Sequence, residues 1–434
     1  MPAPKPSPKP AAVAAQHDAF FLEMDRAIHS RDSRALRMLA DALQVVAKIT
    51  ANPSNALQLD EGDQLTHAVN FLIPEADARL PPARPVQKWE RELARVFEQT
   101  SFSVIRAEFP GTLEEDQDDL PFGSKGTHAV DAGNIDDYQA THRIHPRLRV
   151  LEEWKQQHPF RRLSLENSRD RHFVHRLENA IVRDSKGKRQ RSSYDQHIRH
   201  VENSQSNAAD FCDELFIRFG KLRVIRLILG YESADQNQPE ISVEYPDAKL
   251  HWTLFCKALS KLECAYMGKI AHSQSRSYYF HLLLFFSEKT TVAEVREQLQ
   301  QALADFPARR NQMSATTDAA LGAVIGELWQ ALVSRGLDPI RRDSMMAGRI
   351  YNLNAQQRVP SGLGLVSRRE RTKREALRTR VIHAMFEHDR YVRLLPPKRT
   401  QDAKQRERTF WKGGEDRLPV VEQRKRGRPG KQPD

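Results

Sequence analysis

Residues 278–286 read Tyr-Tyr-Phe-His-Leu-Leu-Leu-Phe-Phe, a run in which only the histidine is neither aliphatic nor aromatic. Such side chains are favoured in β-strands, and the run is far shorter than the roughly 20 residues that a membrane-spanning helix needs. It therefore predicts a buried central strand. Working outward from it, the pattern predicts further strands at residues 222–229, 265–272, 348–353 and 362–366.

Between these strands, apolar side chains recur at intervals of three and four residues, which predicts helices. The predicted helices cover residues 247–262, 291–306, 319–333 and 367–388. The resulting order is β-α-β-β-α-α-β-β-α, which resembles that of RRM-like folds. We therefore expect an α+β domain with a central antiparallel sheet and helices on one face, preceded by a mostly helical N-terminal region.

Composition changes along the chain predict six regions. They are a disordered tail rich in Pro and Lys (1–16), a helical module (17–105), an irregular acidic connection (106–170), a basic helical segment (171–220), the α+β domain (221–397) and a basic disordered tail (398–434). Residues 186–191, Lys-Gly-Lys-Arg-Gln-Arg, are expected to form a hydrophilic loop that is either simply solvated or in contact with a nucleic-acid backbone.

The chain has 68 Lys and Arg residues against 57 Asp and Glu residues, a formal net charge of +11. Such an excess either keeps a protein soluble or binds phosphate, and clustering of the cations favours phosphate binding. No secretory signal or long apolar stretch is visible, so we expect a cytoplasmic protein without a membrane partner. Cys212, Cys256 and Cys264 lack metal-binding spacing. Cys256 and Cys264, eight residues apart on a predicted helix, are expected to be reduced core residues.

The first basic cluster lies at residues 367–380, where seven cations against two carboxylates give a net charge of +5. On a helix, seven cations cannot share one face, so either part of the cluster is only solvated or the helix lies on a phosphate backbone. We expect the second arrangement. The predicted DNA-binding residues are Arg368, Arg369, Arg371, Lys373, Arg374, Arg378 and Arg380.

The second basic cluster lies near the C-terminus, where residues 424–431 read Arg-Lys-Arg-Gly-Arg-Pro-Gly-Lys. Arg426, Gly427, Arg428 and Pro429 resemble the core of an AT-hook, although a generic basic tail has a similar composition. Glycine allows close approach to the floor of the minor groove, and arginines favour the strong negative potential of a narrow groove. We therefore expect contact with DNA, including A·T-rich duplex.

Residues 222–395 resemble the inovirus-type replication proteins, the YfjJ/YagK-like group of phages and genomic islands. The matching pieces are short and lie in the same order, at residues 223–227, 268–272, 279–286, 325–329, 362–366, 373–375 and 389–394. The resemblance implies an HUH-type domain. In such a domain two strand histidines and a carboxylate on the neighbouring strand hold a divalent metal, and a helix tyrosine, supported by a lysine, attacks a DNA phosphate.

This sequence departs from the family at four of those five positions. The first histidine position is Tyr279, and only the second keeps its histidine, His281. The carboxylate position is Ala271, the nucleophile position is Ala384 and the supporting-lysine position is Glu387. The resemblance therefore implies a relative that has lost the groups needed for nicking.

Three hypotheses follow. The first is a DNA-binding protein of a phage-like or mobile genetic element that binds single- or double-stranded DNA, lacks nicking activity, needs no cofactor, and holds a protein partner through residues 17–105. The second is an active nicking and strand-transfer enzyme with a relocated site, built from His281, His272, Tyr351 and a divalent metal. The third is a protein-interaction scaffold that binds DNA only through its tail. Side-chain alternation places Tyr279 and His281 on one sheet face and His272 on the other.

Overall fold

The computed structural model of the chain describes residues 31–51, 86–108, 141–159, 161–233, 243–273, 277–303, 317–335, 346–352, 362–396 and 408–419. Its strands are β1 (Thr141–Ile144), β2 (Lys221–Ser233), β3 (Cys264–Ser273), β4 (Ser277–Ser287), β5 (Met346–Asn352), β6 (Gly364–Ser367), β7 (Val392–Leu395) and β8 (Phe410–Gly413).

The helices begin with α1 (Arg31–Ala51), α2 (Lys88–Gln99), α3 (Phe102–Glu108), α4 (Arg149–Gln157), α5 (Ser168–Lys186) and α6 (Lys188–Phe219). They continue with α7 (Tyr245–Leu259), α8 (Val292–Ala302), α9 (Thr317–Arg335), α10 (Arg371–Ala376) and α11 (His383–Tyr391). A π-helical segment, Leu377–Ile382, joins α10 to α11, so that the chain is continuously helical from Arg371 to Tyr391.

The central sheet is antiparallel, as the sequence predicts. Its strand order is β5-β2-β4-β3-β8, and β6 pairs with β2 on the same edge as β5. The buried run of residues 278–286 lies in β4, with β2 on one side and β3 on the other. The predicted order of strands and helices within residues 221–391 is confirmed, with boundaries that differ by a few residues.

Helices cover both faces of this sheet, so the prediction of helices on one face is wrong. On one face, Phe280, Leu282 and Leu284 share a core with α7, α8 and α9. On the other face, Leu283 and Phe285 share a core with α6 and with the helix that ends in α11. The reason is visible in the sequence of β4: apolar side chains occur at both parities, so both faces must be removed from water.

The N-terminal helices complete the second of these faces. Helices α1, α2, α3, α4 and α5 form a hydrophobic core that also contains Ile228, Ala271 and Tyr279 of the sheet. Strand β1 pairs with β7 immediately after α11, which forms a two-stranded unit that we call the β1–β7 ribbon. The helical module and the α+β domain are therefore packed against each other through a shared core.

Two of the predicted regions are corrected by these elements. Residues 141–157, which we expected to belong to an irregular connection, form β1, a short 3-10 turn and α4. The predicted loop at 186–191 is only a break at Gly187 between α5 and α6. The predicted tail at 1–16, residues 17–30 and 52–85 of the helical module, and residues 109–140 of the acidic connection lie outside the described residues.

The C-terminal region also contains structure that the sequence did not reveal. Strand β8 pairs with β3, and Trp411 lies with its ring centroid 5.5 Å from that of Trp252. Leu418 is buried in the same core as Phe285. The prediction of a disordered tail across residues 398–434 is therefore wrong for residues 408–419, because aromatic and aliphatic side chains there pack along the edge of the sheet that β3 would otherwise leave unpaired.

Two further predictions concern membrane-spanning segments and the oxidation state of the cysteines. Among the described helices, none combines the length and the apolar character that crossing a bilayer requires. Cys212 and Cys264 are buried, Cys256 is half-buried, and all three are free thiols. Cys264 is a buried free thiol as predicted, although it begins β3 instead of lying on the helix, whereas Cys256 lies on α7 and is only half-buried.

Candidate nucleic-acid interface

The positions that correspond to the family's metal ligands lie side by side on the sheet face covered by α6 and α11. Tyr279 pairs with Ala271 across β3 and β4, and His281 pairs with Lys269. The rings of Tyr279 and His281 have centroids 5.5 Å apart, and both residues are buried. The predicted shared face of these two residues is confirmed, since residues two apart on a strand point the same way.

These positions are packed as hydrophobic core. Ala271, Tyr279 and Ala384 all belong to the cluster that includes Ile228 and residues of α1, α2 and α5. Each of the three is at most 5% exposed. The positions that the resemblance assigns to the carboxylate, the first histidine and the nucleophile are therefore filled by two alanine side chains and a phenol ring, with helices packed against them.

Glu387, at the position of the supporting lysine, organises the end of α11. Its carboxylate accepts a hydrogen bond of 2.7 Å from the Tyr391 hydroxyl. It also lies 3.2 Å from His383 Nδ1 and 3.2 Å from Arg390 Nε. Burial, together with the neighbouring Glu387 carboxylate, raises the pKa of Tyr391 well above its ordinary value, so this phenol stays protonated.

A buried ion pair links the sheet to the same helix. Lys269 Nζ on β3 donates to Asp389 Oδ1 on α11 over 2.8 Å, and both side chains are almost fully buried. Sequence reasoning missed this pair, because the two residues lie 120 positions apart and each has an ordinary local context. A lysine in the middle of an otherwise buried strand was the signal that could have raised the question.

The relocated metal and tyrosine site finds no support in this arrangement. His272 pairs with Tyr278, its ring lies 4.6 Å from the Tyr278 ring, and it therefore belongs to the face opposite His281. Burial, and then the neighbouring His142, lowers the pKa of His272 to about 3. The grouping of His272 with His281 is wrong, since sheet geometry separates them.

Tyr351 lies elsewhere in the sheet. Its backbone in β5 pairs with Ile228, which pairs on its other edge with His281. Two strand spacings, about 10 Å, therefore separate the backbones of Tyr351 and His281. Within the part of the chain that the structure describes, no three His, Cys, Asp or Glu side chains gather in a way that could hold a metal ion.

The predicted basic cluster at residues 367–380 divides into two sets. Arg368 and Arg369 lie in the turn after β6, Arg371 begins α10, and Arg380 lies in the π-helical segment. All four are exposed. None of them forms an ion pair with another residue of the described ranges, so their charges are available to an external anion.

The other three cations contribute to the fold. Arg374 and Arg378 both contact the Asp213 carboxylate of α6, at 3.1 and 3.2 Å. Lys373 Nζ donates to the carbonyl oxygen of Leu365 over 3.0 Å and lies 3.4 Å from Glu370. Their predicted role in DNA binding stays a prediction, but these contacts show that holding the helix against α6 and β6 is one of their roles.

Two cations that the sequence did not suggest join the exposed set. Lys221 pairs with Ser367 at the start of β2, and the Arg368 amide donates to the carbonyl oxygen of Gly220. Arg218 lies two residues before Gly220, at the end of α6. We call Arg218, Lys221, Arg368, Arg369 and Arg371 the basic turn surface.

The ion pairs of the two added cations are solvent-exposed. Arg218 contacts Asp416 at 3.1 Å and Lys221 contacts Glu288 at 2.7 Å. Exposed pairs of this kind contribute about 0–1 kcal/mol, so a phosphate can compete with either carboxylate for its cation. Arg218 and Lys221 therefore add two cations to the predicted cluster, at the end of the sheet where β2 begins.

The tail residues Arg426, Gly427, Arg428 and Pro429 lie outside the described residues. No protein-family profile, curated protein or solved structure matches this chain.

Proposed function

We propose that this protein binds DNA through its phosphates, using the basic turn surface and Arg380, and does not cut it. The observation that carries the proposal is the group of exposed arginines Arg368, Arg369, Arg371 and Arg380, which have no ion pair among the described residues. Arginine suits this role because its planar guanidinium binds phosphate oxygens in pairs.

The location of these arginines supports the proposal. They lie at a β-turn and on the helix that follows it, held in place by β6, by Gly220 and by contacts of the helix with Asp213. A cation on a fixed turn loses less conformational freedom on binding than one on a flexible chain. Phosphate contacts of this kind set affinity and register on DNA without reading its sequence.

The filled catalytic positions support the absence of cutting. Hydrolysis or transfer at a phosphate needs a nucleophile that can reach it, and the nucleophile position is Ala384, buried in the core. Tyr279 and Ala271 occupy two positions where the family's metal ligands would stand. We further propose, on the sequence resemblance alone, that the protein belongs to a phage-like or mobile genetic element.

The first experiment replaces Arg368, Arg369, Arg371 and Arg380 with Gln and measures affinity for a labelled 20-bp duplex and the corresponding single strand from 50 to 200 mM salt. Loss of four phosphate contacts should reduce the slope of log K against log salt by about 3–4 for duplex DNA. The matched control replaces Lys88, Arg162, Lys257 and Lys261 with Gln, because these are exposed cations on other surfaces.

Both variants lose four charges, so a difference between them reports position rather than net charge. Equal affinity and equal slope for the two variants would contradict the proposal. A variant ending at residue 419 separates the body from the tail: we expect it to keep salt-dependent binding. If that truncation abolishes binding, the tail alone binds DNA and the body is a scaffold.

Cutting is tested by incubation with single-stranded DNA and Mg²⁺ or Mn²⁺, followed by denaturing electrophoresis. We expect no covalent protein–DNA adduct. An adduct that disappears in Tyr351→Phe would instead establish the relocated tyrosine site and overturn the second half of the proposal.

A further inference from the structure

Two large hydrophobic side chains are exposed among the residues that the structure describes. Ile217 is 57% exposed and Leu250 is 46% exposed. Leu250 lies on α7, which packs with α8 and α9 on one side of the sheet, whereas Ile217 lies in the last turn of α6 on the other side. Single exposed apolar side chains are common on protein surfaces. The position of Ile217, rather than its exposure, is therefore informative.

Ile217 lies between two contacts that join α6 to the basic turn and to the helix that follows it. Asp213, four residues earlier and on the same face of α6, contacts Arg374 at 3.1 Å. Gly220, three residues later, accepts a hydrogen bond of 2.6 Å from the Arg368 amide. The end of α6 therefore runs antiparallel to the start of α10, and Ile217 lies beside the point where the basic turn enters α10.

Exposed cations flank this isoleucine. Arg218 is the next residue, and its guanidinium carbon lies 5.1 Å from the centroid of the Phe219 ring. Arg371, which begins α10, is exposed. A Cβ added to Gly220 would meet no atom within 4 Å, so the surface next to Ile217 is open. The basic turn surface therefore contains an exposed apolar side chain as well as its five cations.

The charges of the basic turn surface decide what kind of ligand can cover Ile217. An apolar protein face would bury guanidinium groups without a counter-charge, which is costly. In DNA, by contrast, the carbon atoms of the deoxyribose and of the base edges lie close to each phosphate, and the thymine methyl group makes apolar contacts with proteins. A DNA strand therefore matches both the charge of the turn and its apolar residue.

We infer that Ile217 makes an apolar contact with sugar or base atoms of the DNA whose phosphates bind the basic turn surface, and that this contact supplies a part of the affinity that salt does not screen. The inference rests on the proposed function, because it concerns the same site. Phosphate contacts weaken as salt rises, since counterions compete for the phosphates. Burial of apolar surface releases no counterions. The two contributions can therefore be measured separately.

The test compares Ile217→Gln with Leu250→Gln, a matched change at the other exposed apolar side chain. Affinity for the same duplex and single strand is measured by fluorescence anisotropy over the same salt range. We expect Ile217→Gln to bind about three- to tenfold more weakly than Leu250→Gln at every salt concentration, the effect of losing the burial of about half an isoleucine side chain. Its salt slope should equal that of the control, because no phosphate contact is lost.

The two forms of DNA separate the two sources of apolar atoms. An equal loss for both forms places Ile217 against the deoxyribose, and a loss for one form alone places it against the base edges which that form exposes. Ile217→Leu keeps an apolar side chain of the same size and should bind as the wild type does. Melting temperatures from circular dichroism should agree among these variants, because both positions are exposed.

Three results would count against the inference. If the basic-turn arginine variant behaves as proposed while Ile217→Gln matches Leu250→Gln, this inference alone is overturned. It is also overturned if sedimentation shows a wild-type dimer that Ile217→Gln converts to monomers, because a second copy of the chain then covers the residue. If the wild type binds no DNA, the proposed function fails and the inference fails with it.

Discussion

Lys269 lies in the middle of the central sheet with its ammonium group 2.8 Å from the Asp389 carboxylate. Burial removes both charges from water, and their attraction offsets that loss only while both partners are present. The same face of the sheet carries Tyr279 and His281, the two positions to which the predicted resemblance assigned metal-binding histidines. Here its buried polar interactions include a cation from β3 and a carboxylate from the last helix.

Replacing one partner should therefore be costly. We expect Lys269→Met to lower the free energy of unfolding by about 3–5 kcal/mol, because Asp389 is left buried and uncompensated. Urea titration at pH 7 measures the change. Lys221→Met, which removes an exposed pair with Glu288, is the control and should cost about 1 kcal/mol or less.

The double variant Lys269→Met/Asp389→Leu should regain much of the lost stability, because no unpaired charge remains. Equal losses for Lys269→Met and the Lys221→Met control would show that the buried pair does not link the sheet to α11.

Alternation along a strand allowed the placement of single residues to be predicted from the sequence. Tyr279 and His281 share one face and His272 lies on the other, as expected. What could not be predicted is which helix residue each would meet. Asp389 reaches Lys269, and Asp213 reaches Arg374, only because α6 and α11 cross the sheet at particular positions, and no local pattern encodes that crossing.

At the scale of elements, the entry of the chain into β6 depends on glycine. Gly362 has φ of +73°, a left-handed conformation, and a Cβ there would lie 2.2 Å from the Leu377 amide nitrogen. Gly220, at the start of β2, has φ of +74°, but a Cβ added to it would meet no atom within 4 Å. Substitution of Gly220 therefore tests backbone conformation alone, whereas substitution of Gly362 tests backbone conformation together with steric overlap.

We expect Gly220→Ala to cost about 1 kcal/mol, the usual penalty for a left-handed alanine. Gly362→Ala should cost about 1–3 kcal/mol more, since the helix backbone at Leu377 must also shift. Chemical denaturation of both variants measures the difference. Equal costs would mean that the contact of Gly362 with the helix is not close in solution.

Strands β2, β3 and β4 could be predicted because they have 13, 10 and 11 residues and contain runs rich in aliphatic and aromatic side chains. Strands β1, β7 and β8 have four residues each, and their pairing partners lie far away in sequence. So few residues carry little local pattern, and long-range pairing decides their conformation; β6 is as short, but the apolar run at residues 362–366 indicated it. The basic turn surface was found only in part for the same reason: Arg218 and Lys221 approach Arg368 through strand pairing.

At the scale of the whole molecule, burial of neutral histidines links stability to pH. His197 and His272 have pKa values lowered to about 3, below the ordinary value of 6.5, and that of His145 is also lowered. Below pH 6.5 these histidines are therefore protonated in the unfolded chain but stay neutral in the folded chain. The free energy of unfolding must fall as the pH falls from 6.5 toward 3.

Each such histidine should contribute a loss of up to about 2 kcal/mol between pH 6.5 and pH 5. Urea unfolding at pH 7.5, 6.0 and 5.0 measures the slope, and His197→Gln should flatten it. His172→Gln, a change at an exposed histidine, should leave the slope as in the wild type. An unchanged slope in His197→Gln would show that this ring is not buried in solution.

Strand β8 holds the chain against β3, and this anchoring limits the reach of the arginines that follow. Arg426 comes seven residues after Pro419, so the two are separated by at most about 25 Å in any conformation. Along B-DNA, 25 Å is about seven base pairs at 3.4 Å each. If Arg426 enters a minor groove while the sheet domain contacts the same duplex, the A·T-rich base pairs must therefore lie within about seven base pairs of the one nearest Pro419.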